Sequence, residues 1–237
     1  MVVQAGQSQG QTDFDLVIFD CDGVLIDSEI ISARMLVEEL ARLGVTIDLD
    51  YVGRHFLGRS YPVVMQQIRT EFGLTLPVSF EDDYRENLLR AFQRDLRVVP
   101  HVHQVMQQMA VPFCVATSSS PRRAAMSLAL VGLQDLVGDR LFTSTLVARG
   151  KPAPDLFLLA ASRMGADPHR TLVIEDSLTG IRAGLSAGMT VWRFVGGSHL
   201  GPDTPDEPED ARPHRRLVSF DAFFQIAPGL FKDTPKP

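Results

Sequence analysis

Five short, continuously apolar runs constrain this chain more than any other feature: Leu16–Asp20, Phe113–Thr117, Leu141–Thr143, Thr171–Glu175 and Val191–Val195. They are rich in β-branched residues, and several stop abruptly at Asp, Thr or Ser. Runs of this length without apolar–polar alternation predict parallel strands covered on both faces. Between the later runs the spacing predicts helices. Ser120 is placed as N-cap with Pro121 at the first helical position, and that helix extends to about Val131. Pro154–Met164 forms a second and Leu178–Ala187 a third, closed by Gly188. Strand–helix alternation from residue 111 onward predicts an α/β fold with a doubly wound, parallel, Rossmann-like sheet. Residues 201–216 are rich in Pro and charge and read as a surface loop before a last strand at Leu217–Phe220.

The stretch between the first two strands breaks this rhythm. From about Ile30 to Leu96 only helical patterns occur: Leu36, Leu40 and Leu43 recur at helical spacing up to Gly44, then Tyr61–Phe72 and Phe80–Phe92 follow, separated by Gly73 and Pro77. A connection of roughly 70 residues is far longer than a normal crossover, so an inserted all-helical unit with its own small core is expected. The division expected is a flexible tail at 1–13, an α/β core from 14–29 and 99–237, and the helical insert at 30–98.

Composition narrows the function. At 237 residues the chain can bury a sizeable core without disulfide or metal staples. A net charge of −6 leaves no basic surplus for phosphate backbones, so nucleic acid is not expected as a partner. No apolar run approaches the ~18–20 residues of a membrane span. The first thirteen residues lack the cationic start and apolar stretch of a signal peptide. Cys21 and Cys114 are too few for a disulfide framework and are read as reduced, buried thiols, which points to the cytoplasm; a monomer is expected. Among the basic residues only Lys151, Lys232 and Lys236 are lysines, and only Lys151 lies within the body of the chain. A compositional bias toward arginine explains the shortage, but not the position of Lys151.

Chemistry concentrates where the strands end. Phe19-Asp20-Cys21-Asp22-Gly23 runs an apolar strand into two carboxylates two residues apart, followed by a glycine that permits a tight turn. Such carboxylates repel unless a cation or a shared proton intervenes, which suits a hard divalent metal. On its own the motif could equally cap a turn. It recurs, however, in a second setting: Thr171–Glu175 also ends in a carboxylate pair, Glu175-Asp176, with Gly180 in the following turn. Val115-Ala116-Thr117-Ser118-Ser119 ends in hydroxyls at a helix N-terminus, a ready phosphate cradle. Lys151 lies on a loop flanked by Pro152 and Pro154. Strand ends of this kind converge on one crevice in open α/β sheets.

With these four motifs in order, residues 15–188 resemble the haloacid-dehalogenase-type phosphohydrolases, specifically the β-phosphoglucomutase-like branch with a helical cap inserted after the first strand. The resemblance implies an Mg²⁺-dependent phosphatase acting on a small phosphorylated metabolite, a sugar phosphate or sugar-acid phosphate. It would make Asp20 the nucleophile that becomes an aspartyl-phosphate, and Asp22 the general acid and then base. Thr117 and the Ser118 backbone N–H would hold the phosphoryl group. Lys151 would neutralise charge, and Asp20, Asp22 (through its carbonyl), Glu175 and Asp176 would hold Mg²⁺. In the cap, the loop Gly53–Ser60 matches the family's substrate-reading loop, with Arg59 as its first candidate, His55 as its second and Gly58 beside them; an arginine merely solvated on a turn is an equal alternative.

A phosphosugar mutase is the competing activity. Mutases of this branch carry a histidine where Ser32 stands and a lysine in the cap, whereas residues 30–98 contain no lysine. The same absence excludes a Schiff-base phosphonatase, and a dehalogenase would need neither Asp22 nor the Glu175-Asp176 pair. A non-catalytic binding protein on the same fold is disfavoured by the complete set of motif residues. His101 and His103 form a poor zinc set, and His101 replaces a glycine usual at the return from cap to core. Residues 26–29 and 98–103 are the expected hinges, while Asp27 and Ser28 read as helix caps.

Overall fold

The computed structural model describes residues 13–56, 58–77, 79–201 and 204–232. Residues 1–12 of the tail expected at 1–13, Lys236, and two residues of the predicted loop at 202–203 lie outside these. Strand β1 (Leu16–Phe19) is followed by the four helices of the insert: α1 (Glu29–Arg42), α2 (Leu49–His55), α3 (Tyr61–Phe72) and α4 (Phe80–Asp95). Helix α5 (Val102–Gln108) then leads into β2 (Phe113–Thr117), α6 (Pro121–Leu130), α7 (Gln134–Val137) and β3 (Leu141–Thr143). The remainder runs α8 (Asp155–Met164), β4 (Thr171–Glu175), α9 (Leu178–Ser186), β5 (Thr190–Phe194), β6 (Arg215–Leu217) and α10 (Phe220–Ile226).

The six strands form one parallel sheet in the order β3-β2-β1-β4-β5-β6. The apolar runs lack alternation because both faces are covered. Val17 and Phe19 belong to the cluster that includes Val102 and Phe220, while Leu16 and Ile18 belong to the cluster that includes Phe157 and Ile181. The first cluster continues without interruption into the helical insert through Phe92, Leu40 and Ile68. The insert's apolar residues therefore extend the sheet-face core rather than closing an isolated one.

Register decides what meets at the sheet's carboxyl edge. Phe19 pairs with Ile174 of β4 and with Val115 of β2, so Asp20 emerges beside Glu175 on one side and Ala116 on the other. The chain leaves β1 toward β2 and β3 and later returns to β4 on the opposite flank, so the order reverses at β1, where open α/β sheets form their crevice. The passages into and out of the insert are paired: Asp27 N–H donates to Arg97 O at 2.9 Å and Val99 N–H to Leu25 O at 2.9 Å.

Several boundaries depart from the sequence reading, by one to three residues. The last strand is Arg215–Leu217, not Leu217–Phe220. Ser219 Oγ accepts from the Ala222 N–H at 3.1 Å, which makes Phe220 the start of a helix. Arg215 and Arg216 tolerate the strand because it is an edge: Arg215 lies over the Trp192 ring and Arg216 pairs with Glu207. Likewise β5 begins and ends one residue before Val191–Val195.

Candidate active site

The reversal point of the sheet gathers three buried carboxylates. Asp20 follows β1, Glu175 ends β4 and Asp176 follows it, and each offers an oxygen within 4.8 Å of the others'. Burial is the main cause that pushes the Asp20 and Asp176 carboxyls well above their ordinary range. For Asp20 the Lys151 ammonium pulls the other way, while Glu175, Asp176 and Asp22 push with burial. Neither Asp20 Oδ2 nor Asp176 Oδ1 takes a hydrogen bond among the described residues.

Lys151 reaches this cluster from the loop before α8, its side chain only 1% exposed. All three of its N–H donors are satisfied: by Asp20 Oδ1 at 2.5 Å, by Glu175 Oε1 at 2.9 Å and by Ala116 O at 3.0 Å. Burial opposes its charge, but Asp20 and Glu175 together hold the ammonium above its ordinary range. Glu175 is committed on its other side too, since Oε2 accepts from Ser177 N–H at 2.6 Å and Ser177 Oγ at 3.0 Å. Three carboxylates against one ammonium leave an excess of negative charge in a buried place. That donor set fits a hard divalent cation, and the uncommitted oxygens of Asp20 and Asp176 are the ones available to it.

Asp22 has a separate environment. Its Oδ1 accepts from Ser28 Oγ at 2.6 Å and Arg123 Nη2 at 2.7 Å. Its Oδ2 accepts from Ser119 Oγ at 2.6 Å and Thr117 Oγ1 at 3.3 Å. Burial alone would raise its pKa, but Arg123 and these hydroxyls together hold it below the ordinary value. Asp22 is therefore an anion in this arrangement. Gly23 turns the chain here at φ +78°, and a Cβ on it would lie 2.3 Å from Asp176 Oδ2, so only glycine lets the first strand's loop approach the fourth's.

Above these groups lies a cavity of about 280 Å³ lined by Asp20, Asp22, Thr117, Ser118, Ser119, Asp176 and residues of the insert. The insert supplies Gly58 and Arg59 from its α2–α3 loop, Tyr61 from α3 and Tyr84 and Arg85 from α4. Gly58 packs so closely on the core that a Cβ would lie 2.3 Å from Ser177 Oγ. Of the cap residues singled out in the sequence, Gly58 and Arg59 line the cavity, and Arg59 Nη1 donates to Gln67 Oε1 at 3.0 Å. His55 does not; its ring packs on Tyr51 at 4.3 Å.

Three participants escaped the sequence reading. Arg123 and Glu29 line the cavity beside Ser119 of the β2 motif, and His199 approaches Asp176 from the loop after β5. Burial, with Asp22 and Asp176 nearby, pushes the half-buried Glu29 carboxyl up to about 7. Burial is the main cause that pushes the His199 imidazole below its ordinary range, against the pull of Glu29 and Asp27. The Gly196-Gly197 pair was the available signal for His199, because paired glycines after a strand mark a close backbone approach.

Comparison with known proteins agrees with this arrangement. The sequence profile of the haloacid dehalogenase-like hydrolases matches residues 14–188. A 6-phosphogluconate phosphatase of Escherichia coli K12 is 29% identical over 189 residues, covering 79% of this chain and 86% of its own. A haloacid dehalogenase-like protein from Agrobacterium tumefaciens C58 superposes with a TM-score of 0.77 at 34% identity, over 90% of this chain and 97% of that one. A haloacid dehalogenase family hydrolase from Deinococcus radiodurans R1, solved with bound phosphate and sodium, gives 0.73 at 30% identity, over 94% and 100%.

Proposed function

The chain belongs to the haloacid dehalogenase-like hydrolases and is a phosphatase of phosphorylated metabolites, and from that premise we propose a mechanism through an aspartyl-phosphate on Asp20 and a sugar phosphate or sugar-acid phosphate as substrate. The observation that carries the reading is the juxtaposition of a lysine-bridged Asp20 with a separately held Asp22 beneath one cavity. Two carboxylates in different surroundings can take different roles in one reaction.

In the proposed sequence an Asp20 oxygen forms a bond to phosphorus in line with departure of the ester oxygen. Asp22 gives that oxygen a proton, then takes one from the water that attacks the aspartyl-phosphate, releasing phosphate and restoring Asp20. Arg123 and the surrounding hydroxyls favour the Asp22 anion, the form needed for the second step, so for the first step Asp22 takes up a proton as substrate binds. The hydroxyl-rich end of β2, with Thr117 and Ser118 at its head and the N-terminus of α6 beyond, receives the phosphoryl oxygens. Lys151 offsets part of the charge of Asp20 and Glu175, so that a phosphate dianion meets less repulsion. Mg²⁺ is the proposed cofactor, held by Asp20, Asp176 and the Asp22 carbonyl with Glu175 behind them, and its chemistry when bound is charge neutralisation of the phosphoryl group.

The helical insert, residues 30–98, is proposed as a cap over the core formed by 14–29 and 99–237, with the paired passages near Ile26 and Val98 as its hinge. Closure would exclude bulk water. Arg59, Arg85 and the tyrosines make the cap side of the cavity polar and cationic, which suits a hydroxylated or acidic leaving group such as the substrate named for the E. coli relative. Hydrolysis is favoured over mutase chemistry because Ser32 is engaged within the protein, donating to Ser28 O and accepting from Arg123. No helix among the described residues is long and apolar enough to cross a membrane, and a monomeric, cytoplasmic enzyme is the proposal.

A panel of phosphorylated metabolites with Mg²⁺ tests the reading, with wild type and Asp20→Asn compared for phosphate release. Wild type is expected to release phosphate from sugar or sugar-acid phosphates, and Asp20→Asn to lose more than about 10³-fold in kcat. Full activity in Asp20→Asn rules out the covalent route. Conversion of β-glucose 1-phosphate to glucose 6-phosphate faster than phosphate appears would establish the mutase instead.

A further inference from the structure

We infer that His199 is a positioning residue for the cation site, fixing the Asp176 carboxylate so that one oxygen stays turned toward Asp20. The inference rests on the divalent-cation reading and assigns that site a supporting partner from the loop after β5.

His199 Nε2 lies 2.8 Å from Asp176 Oδ2, and the two side chains are 6% and 3% exposed. Against the ionised Asp176 carboxylate that a cation site requires, which can only accept, the ring donates through Nε2. The other ring nitrogen, Nδ1, is buried without a partner among the described residues, where the contact with Asp176 is the sole hydrogen bond of this imidazole. An imidazole buried for packing alone would leave both nitrogens costly; here one is spent on a single aimed contact.

The loop is built to hold the ring in place. Ser198 donates to Asp27 Oδ1 through its backbone N–H at 3.1 Å and through Oγ at 2.8 Å, tying the loop to the start of the insert. A Cβ on Gly197 would meet His199 Cε1 at 2.7 Å and Gly23 O at 2.9 Å, and a Cβ on Gly23 would meet His199 Cε1 at 2.8 Å. Two glycines from separate loops thus make the slot in which the ring lies. The backbone of Asp176 is fixed independently, its carbonyl accepting from Arg193 Nε at 3.0 Å. With Oδ2 turned toward Gly23 and His199, the rotation of the carboxylate is set and Oδ1 takes no side-chain donor among the described residues.

The chemistry of the donor matters as much as its position. Lys151 already offsets part of the charge of Asp20 and Glu175; a second cation on Asp176 would weaken the pull on a divalent ion. A single N–H from an imidazole orients a ligand carboxylate at little expense of its charge, which is how partners behind metal ligands act, with effects of about 10–100-fold on affinity.

The test compares wild type with His199→Phe, which keeps the ring's bulk but has no donor, and His199→Gln, whose amide can restore an N–H. Thermal unfolding is followed against Mg²⁺ concentration without substrate, and Mg²⁺ affinity is measured by calorimetry. Wild type and His199→Gln are expected to show saturable Mg²⁺ stabilisation, with His199→Gln within about 5-fold of wild type, and His199→Phe to need about 10–100-fold more Mg²⁺. If His199→Phe folds and binds Mg²⁺ as wild type does, His199 only packs and the inference fails. Should His199→Phe not fold, an Mg²⁺ affinity of His199→Ala equal to that of wild type overturns it in the same way. Absence of any Mg²⁺ response in wild type overturns the cation reading and the inference with it, an outcome distinct from loss in the variants alone.

Discussion

His101 shows how a single backbone angle can carry a testable strain. It is the only non-glycine residue with positive φ among the described residues, at +68°, and it stands where the chain returns from the insert and starts α5. L-residues other than glycine, asparagine and aspartate pay steric energy there. His101→Gly removes the Cβ conflict but adds freedom to the unfolded chain, so a net gain of about 0.5–1 kcal/mol is expected in urea unfolding. A loss of stability would mean that the imidazole makes a compensating contact. The departure from glycine was visible in the sequence, and so was Lys151, whose isolation in an arginine-rich chain singled it out. Arg123 and His199 were not visible, because nothing local marks an arginine on the first turn of α6 as the partner of a carboxylate 101 positions away. Residue type is legible in a sequence; a pairing across the fold is legible only when both partners sit in recognisable motifs.

At the scale of elements, the junction of β4 and α9 explains why a strand end can hold chemistry rigidly. Ser177 caps the helix by accepting from the Gly180 N–H at 3.0 Å, and it donates back to Glu175, whose other oxygen holds Lys151. Cap, strand end and ammonium form one chain of hydrogen bonds. Gly180 makes room for it: a Cβ there would lie 1.6 Å from Glu175 Oε1 and 2.0 Å from Cδ. Glu175 is 1% exposed and held on both oxygens, so it has no cheap way to move. Gly180→Ala should therefore destabilise by about 2–3 kcal/mol, as overpacking does, despite replacing glycine with a better helix former. Gly150→Ala, with nothing within 4 Å, is the control and should stay near neutral. Equal melting temperatures for the two variants would show that Glu175 yields freely. The buried strands were legible because apolar runs without alternation admit few readings, whereas β6 and α10 were not. Two arginines disguise the edge strand, and the serine that starts the helix lies within the run read as a strand.

The whole molecule concentrates like charge at the point where the sheet reverses, and that has a consequence for stability. Asp20 and Asp176 have folded pKa values raised well above the ordinary 3.8, so between that value and the raised ones the native state binds more protons than the unfolded chain. Stability from these groups is complete below pH 3.8 and falls as pH rises through the folded values. Asp22 acts in the opposite sense, but its depressed pKa confines the effect to pH below 3.8 and leaves the range from 5 to 8 undisturbed. A divalent ion competes with the protons on Asp20 and Asp176 and replaces what deprotonation removes. The stabilisation given by Mg²⁺ should then grow with pH, reaching about 2.7 kcal/mol at a hundredfold excess over Kd. The measurement is the difference in melting temperature with saturating Mg²⁺ and with EDTA, at pH 5 and at pH 8. A larger difference at pH 8 is expected, and Asp176→Asn should flatten it. Equal differences at both pH values would mean that the cluster is not where cations and protons compete. Neither motif alone carries this coupling, since it needs Asp20 and Asp176, 156 positions apart, brought together by a β1–β4 register that pairs Phe19 with Ile174.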